Sequence, residues 1–135
     1  MEKTKTTLSP ELLRVCDANL NRLREGIRVL EDILRYKENN KSLALKLKEL
    51  RHQTQLDDYK QFLQYRDSIK DVLKDSTSSE TNRKNLEEII IANFKRAEES
   101  SRVLEEIFKL VSVDISENFK SIRYQLYNIE KEVLL

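Results

Sequence analysis

The segment Ala18 to Ile33, ANLNRLREGIRVLEDI, returns at Ala92 to Ile107 as ANFKRAEESSRVLEEI, with nine of sixteen positions identical at a constant offset of 74 residues. Shared apolar positions alone would mean only that two helices face one core. Here polar residues recur as well: Asn19/Asn93, Arg22/Arg96, Glu25/Glu99, Arg28/Arg102 and Glu31/Glu105. A shorter match, LKELRHQ at Leu47 to Gln53 against FKSIRYQ at Phe119 to Gln125, extends the relation into the segments that follow. The chain reads as a duplicated unit.

Both copies carry helical periodicity, and one Gly and one Pro in 135 residues argue against a predominantly β fold, whose turns consume both. The expected fold is all-α, a bundle of two duplicated helix hairpins, long then short in each half, packed about a pseudo-two-fold axis. The chain reads as a single domain, residues 1–135, with a first repeat over about 9–65, a connecting loop at 66–79 and a second repeat over 80–135. Met1 to Thr7 is short, polar and expected to fray. Ser9-Pro10-Glu11 is an N-cap, a proline at the first helical position and an acid well placed for the helix dipole. The helix it starts runs to about Lys37, with Leu12, Val15, Ala18, Val29, Leu30, Ile33 and Tyr36 along its apolar side. A second helix runs from Lys41, interrupted, to Gln64. Thr77 to Glu80 fits a capping box and launches a third, to about Leu110, and Asp114 with Glu117 repeats that signature for a fourth.

At 100° per residue, Asn19, Arg22 and Gly26 fall within or beside the apolar stripe, and Asn93, Arg96 and Ser100 do the same. A buried amide or guanidinium without partners costs roughly 1–3 kcal/mol, more for a charge. Two readings account for them: a closed polar network with Glu25 and Glu99 that fixes helix register, or a ligand pocket. Gly26 costs about 1 kcal/mol relative to Ala inside a helix, so it answers a close approach by another helix or a ligand. Arg28 with Glu31, and Arg102 with Glu105, read as solvent-facing pairs. Arg51 and Arg123 match across the repeat, as surface charge or as groups reaching the polar zone.

The connecting stretch holds Arg66, Asp67, Lys70 and Asp71, with Arg83 placed just inside the next helix. Guanidinium groups clamp phosphate oxygens while carboxylates hold Mg²⁺. With a single Gly the chain cannot build a glycine-rich phosphate loop, so any nucleotide site must use side chains and helix ends. His52, the only histidine, is replaced by Tyr124 in the repeat and reads as a packing residue. Basic and acidic residues number 25 and 24, which points away from nucleic acid and anionic membranes. Cys16 stands alone, no apolar run is long enough to span a membrane, and the expected compartment is the cytoplasm.

DANLNRLREGIRVLEDI, LKELRH, RDSIKDV and ANFKRAEESSRVLEEIFK, in that order, resemble the alternative hydroxymethylpyrimidine phosphate kinases of thiamine biosynthesis, found alone and as the N-terminal domain of thiamine-phosphate synthase. The resemblance runs from about Leu12 to Gln125 and implies a free-standing member. It departs where Ile69-Lys70 and Leu73-Lys74 stand in place of the smaller, less basic residues and the Gly-Thr expected there. It implies an ATP- and Mg²⁺-dependent transfer of phosphate onto 4-amino-5-hydroxymethyl-2-methylpyrimidine phosphate, and a functional link to thiamine-phosphate synthase. On that basis Asn19, Arg22, Glu25, Asn93, Lys95, Arg96 and Glu99 would bind substrate, Arg51, Arg66 and Asp67 would act on the transferring group, and Asp67 with Asp71 would carry the metal. The alternatives are a non-catalytic helical module that binds the pyrimidine phosphate or a partner, and a purely structural bundle. An exposed apolar flank on either long helix would support a homodimer.

Overall fold

The computed structural model describes residues 7–135, so the expectation for the N-terminal segment falls almost wholly outside the described residues. Among the described residues six α-helices follow one another, α1 (Pro10–Asp32), α2 (Lys41–Gln53), α3 (Tyr59–Leu63), α4 (Ser78–Thr81), α5 (Leu86–Phe108) and α6 (Val113–Leu134). No strand occurs among the described residues, and the all-α expectation holds. The second hairpin is not long–short, because α6 with 22 residues nearly equals α5 with 23.

Local chemistry sets the ends. Ser9 Oγ accepts from Leu12 N at 3.2 Å ahead of Pro10, as the sequence predicts. The last turn of the first helix widens to a π-helix over Ile33–Lys37, where Glu38 N donates to Ile33 O at 3.1 Å. With glycine so scarce, an asparagine and an aspartate take the left-handed backbone: Asn39 has φ 53° and Asp58 has φ 61°. These two positions end the first helix and split the second into α2 and α3.

Elsewhere the helix starts move. The Thr77–Glu80 capping box forms, with Thr77 N donating to Glu80 Oε1 at 2.7 Å, but the turn it begins stops at Thr81. α5 begins instead from Asn85, whose Oδ1 accepts from Glu88 N at 2.9 Å, while Glu88 returns an oxygen to Lys84 N. Arg83 therefore lies before the helix and not in it. Likewise Ser112, not Asp114, caps α6.

α1 packs on α5 and α2, α5 on α6, and α2 closes against α6. Leu23, Ile27, Leu30, Leu47, Leu50, Phe94, Leu104, Phe119, Ile122 and Leu126 form the fully buried centre, and at one end Phe108 stacks on Phe119 with centroids 5.8 Å apart while Phe62 meets Phe108 at a tilt, 6.5 Å away. The buried stripe of α1 runs through Leu13, Cys16, Leu23, Ile27 and Leu30 and continues to Leu34 in the π turn. Val15, Val29 and Tyr36, expected on it, are exposed, and so is Arg22. Asn19 and Gly26 are buried as the spacing implies. A Cβ on Gly26 would lie 3.2 Å from the carbonyl oxygen of Asn93 and 3.5 Å from Cβ of Ala97, so the glycine answers the close approach of α5.

Candidate functional site

Asn19, which is buried, and Asn93, which is half-buried, satisfy their amides in the same way. Each donates its amide to the carbonyl four residues earlier, Asn19 to Val15 at 2.9 Å and Asn93 to Ile89 at 2.8 Å. The buried ion pairs of the repeat lie elsewhere. Arg51 grips Glu31 with Nε and Nη2 at 2.7 and 3.2 Å, and Arg123 reaches Glu105 at 2.7 Å. Both glutamates are buried, so Glu31 and Glu105 are not surface partners of Arg28 and Arg102. Those arginines pair one turn on, with Asp32 and Glu106. The glutamates expected in a central network, Glu25 and Glu99, are exposed. Arg51 is thus committed to tying α2 onto α1, and its hydrogen bonds to Glu31 hold its guanidinium above the usual range.

The connecting segment does close over α1. Arg66 forms a two-pronged bond to the buried carboxylate of Asp17, at 2.7 and 2.8 Å, and that bond is the chief cause of its strongly raised pKa. Arg14 Nη2 donates to the backbone carbonyl of Asp67 at 2.7 Å and pins the loop a second time. Asp67 Oδ1 accepts from Lys70 N, and Asp71 Oδ1 from Leu73 N, so each carboxylate also shapes its own turn. The result is a cleft of about 540 Å³ between α1 and the loop, which brings together Arg14, Asn19, Arg22, Arg66, Asp67 and Asp71. Three guanidinium groups, Arg14, Arg22 and Arg66, and four carboxylates, Glu11, Asp17, Asp67 and Asp71, line it, with Asp17 taken by Arg66. No group of three or more His, Cys, Asp or Glu side chains suited to a metal occurs among the described residues.

Of the residues expected to bind substrate, only Asn19 and Arg22 lie here, beside Arg66, Asp67 and Asp71. Lys95 and Glu99 line a separate cleft between α5 and α6, with Glu98, Arg102, Arg123 and Tyr127. In it Lys95 bridges Glu98 and Glu130 at 3.2 Å each. Burial, reinforced by the carboxyl of Glu130 and opposed by Lys95, pushes Glu98 up to about 7. Glu25, Asn93 and Arg96 line neither cleft. The two polar sets of the repeat are therefore not two walls of one cavity. Asp17 and Arg14 went unrecognised in the sequence because the repeat puts Ile91 and Glu88 at their equivalents. Arg14 stands eight residues before Arg22, roughly 80° round α1, and Asp17 five before it, roughly 140° round, so a helical wheel centred on Arg22 brings in Arg14 and leaves Asp17 to its tertiary contact with Arg66.

A ThiD2 sequence profile matches residues 14–132, from inside α1 to near the end of α6. The chain belongs to the ThiD2 family. Proteins named thiamine-phosphate synthase are similar to this ThiD2 chain. The one from Nostoc punctiforme is 36% identical over 131 residues, covering 96% of this chain and 37% of the relative. The one from Prochlorococcus marinus is 36% identical over 132 residues, covering 97% and 38%, and that from Thermosynechococcus vestitus 34% over 125 residues, covering 92% and 36%. The chain thus spans less than two-fifths of the length of these relatives. No solved structure matches it. Among the described residues no helix is long and apolar enough to cross a membrane.

Proposed function

We propose that this ThiD2 chain acts in thiamine biosynthesis as a kinase, converting 4-amino-5-hydroxymethyl-2-methylpyrimidine phosphate to its diphosphate at the expense of ATP. The observation that carries this reading is the cleft beneath the connecting segment, where Arg14, Arg22 and Arg66 converge on the same space as Asp67 and Asp71. Family membership and relatives named thiamine-phosphate synthase support the pathway.

The chemistry asks little general-base catalysis of the protein. A phosphate monoester oxygen, already anionic near neutral pH, attacks the γ-phosphorus of ATP, the bond to the β-phosphate oxygen breaks, and ADP leaves. Such a transfer relies on alignment and on neutralising charge. Arg22 and Arg14 hold phosphate oxygens, and Arg66, fixed in direction by Asp17, presents a pre-oriented guanidinium to the transferring group. Asn19, its amide nitrogen engaged by Val15, has its carbonyl oxygen left to accept from a ligand. Asp67 and Asp71 fit Mg²⁺, since that ion is commonly held by one or two carboxylates together with substrate phosphates and needs no full protein cage. Bound there, it would neutralise charge between the β- and γ-phosphates. Arg51 has no direct part in this reading, because Glu31 occupies it.

The test is incubation of the pure protein with ATP, Mg²⁺ and the pyrimidine monophosphate, followed by separation of the products. Diphosphate and ADP in equal amounts are expected, and Asp67→Asn should abolish them while far-UV circular dichroism stays unchanged. Full activity in that variant would sink the metal assignment. Pyrimidine binding with no ADP formed would turn the reading to the non-catalytic module.

A further inference from the structure

A second cleft of about 450 Å³ opens on the other side of Asp17, between α1, the end of α2 and α3. It shares Asp17 and Asn21 with the first cleft, so the Asp17–Arg66 ion pair stands between the two spaces. Its chemistry is different. The first cleft contains no aromatic side chain, whereas this one is flanked by Tyr59, an exposed residue. Asn21 and Gln55 bring amides that both donate and accept, and Asp57 brings a carboxylate acceptor. Arg24 is the one guanidinium lining it, and its Nε is buried with no hydrogen-bond partner among the described residues. Arg24 carries no ion pair among the described residues, so the outer nitrogens of its guanidinium remain to take an anionic oxygen from a ligand.

Resting on the kinase reading above, we infer that this second cleft is the acceptor subsite, which takes an aminopyrimidine carrying a single phosphate, while the first cleft takes the polyphosphate and metal of the nucleotide. The make-up of the linings divides the two. Three guanidinium groups beside the Asp67 and Asp71 carboxylates suit a metal-bound polyphosphate, and a single guanidinium beside an aromatic ring and two amides suits an aromatic ring with one phosphate. The ring stacks on Tyr59, its exocyclic amine donates to Asp57 or to the Gln55 carbonyl, and its ring nitrogens accept from the amides of Asn21 and Gln55. Arg24 draws the phosphate toward the partition, beyond which lies Arg66. The acceptor oxygen then reaches the γ-phosphorus at the boundary between the clefts, which explains why Arg66 is locked to Asp17 and not left free.

Isothermal titration of the full chain with the pyrimidine monophosphate, and separately with a non-hydrolysable ATP analogue plus Mg²⁺, tests this. Arg24→Gln should weaken the pyrimidine phosphate at least tenfold and leave the nucleotide within twofold; Arg22→Gln should do the reverse. Tyr59→Leu, which keeps Arg24 intact, should weaken the pyrimidine several-fold. In turnover, Arg24→Gln should raise KM for the pyrimidine phosphate and leave KM for ATP unchanged. Weaker nucleotide binding in Arg24→Gln, or unchanged pyrimidine binding in both Arg24→Gln and Tyr59→Leu, would overturn the assignment. Diphosphate formation with unaltered pyrimidine KM in those variants would refute this subsite and leave the kinase reading standing. Pyrimidine binding that depends on Arg24 without any turnover would refute the kinase reading and leave the subsite.

Discussion

Arg51→Met separates a structural arginine from a catalytic one. In the wild type the Arg51 side chain is 15% exposed and clamps Glu31, whose side chain is 2% exposed, through two hydrogen bonds of 2.7 and 3.2 Å. Removing the arginine leaves a carboxylate between α1 and α2 with neither water nor a counter-charge. Breaking a buried pair from one side costs about 3–5 kcal/mol, and the residual exposure of Arg51 puts this case at the lower end, about 3 kcal/mol. With an unfolding entropy of about 2.1 cal/mol/K per residue, a chain of 135 residues loses roughly 10 °C in Tm for that change. Replacing both partners, Arg51→Met with Glu31→Leu, removes the stranded charge and should return stability to within about 1 kcal/mol of wild type. Urea unfolding followed by far-UV circular dichroism measures all three proteins, and turnover per folded molecule should change less than threefold in each. A single-variant loss under about 1 kcal/mol, or a double variant no more stable than the single, would refute the argument. A hundredfold fall in kcat at unchanged Tm would return Arg51 to the chemistry.

Three further outcomes follow from particular side chains. Glu98 has its folded-state pKa raised to about 7 by burial, so the folded protein holds that proton more tightly than the unfolded chain; its stabilising contribution is complete below about pH 4.5 and is lost as pH rises through 7. Glu98→Gln should therefore flatten the fall in Tm between about pH 5 and 8, and an unaltered profile would contradict the assignment of that slope to Glu98. Cys16 is fully buried and burial pushes its thiol up to about 12, so Ellman's reagent should fail to react at about pH 8 until guanidinium unfolds the protein; rapid native labelling would show the α1 face to be open. Gly26→Ala should lose stability and not gain the roughly 1 kcal/mol that helix propensity offers, because the new methyl group meets the Asn93 carbonyl at 3.2 Å, and Gly26→Leu should cost more than about 2 kcal/mol; a stabilised Gly26→Ala would mean that α5 yields.

Helical class, the N-terminal cap at Ser9 and Pro10, and the burial of Asn19 and Gly26 were legible because each depends on spacing within a few residues. The same holds for the approach of Arg66, Asp67 and Asp71 as one chemical group, since all three sit on a single short segment. What repetition could not reveal was which recurring polar residues meet. Glu25 and Glu31 both recur, yet only Glu31 is buried on an arginine, because a shift of the apolar stripe toward Leu23, Ile27 and Leu30 turns Glu25 out to solvent. Helix starts slipped for a related reason. The capping box at Thr77 forms and the one expected at Asp114 does not, and the long helices begin from Asn85 and Ser112, where the packed lengths of α5 and α6 begin.

The sequence by itself determined that this chain is helical, that its two halves share polar positions, and that it has no glycine-rich phosphate loop, since residue type and periodicity are local properties. Only the tertiary structure decided that Arg66 meets Asp17, that Arg51 belongs to Glu31, and that Lys95 and Glu99 lie in a cleft apart from Asn19 and Arg22. Those pairings join residues 20 to 49 positions apart in sequence. They are fixed by which faces of α1 are left uncovered once α5 and α2 have packed against it, and no spacing within a single helix carries that information.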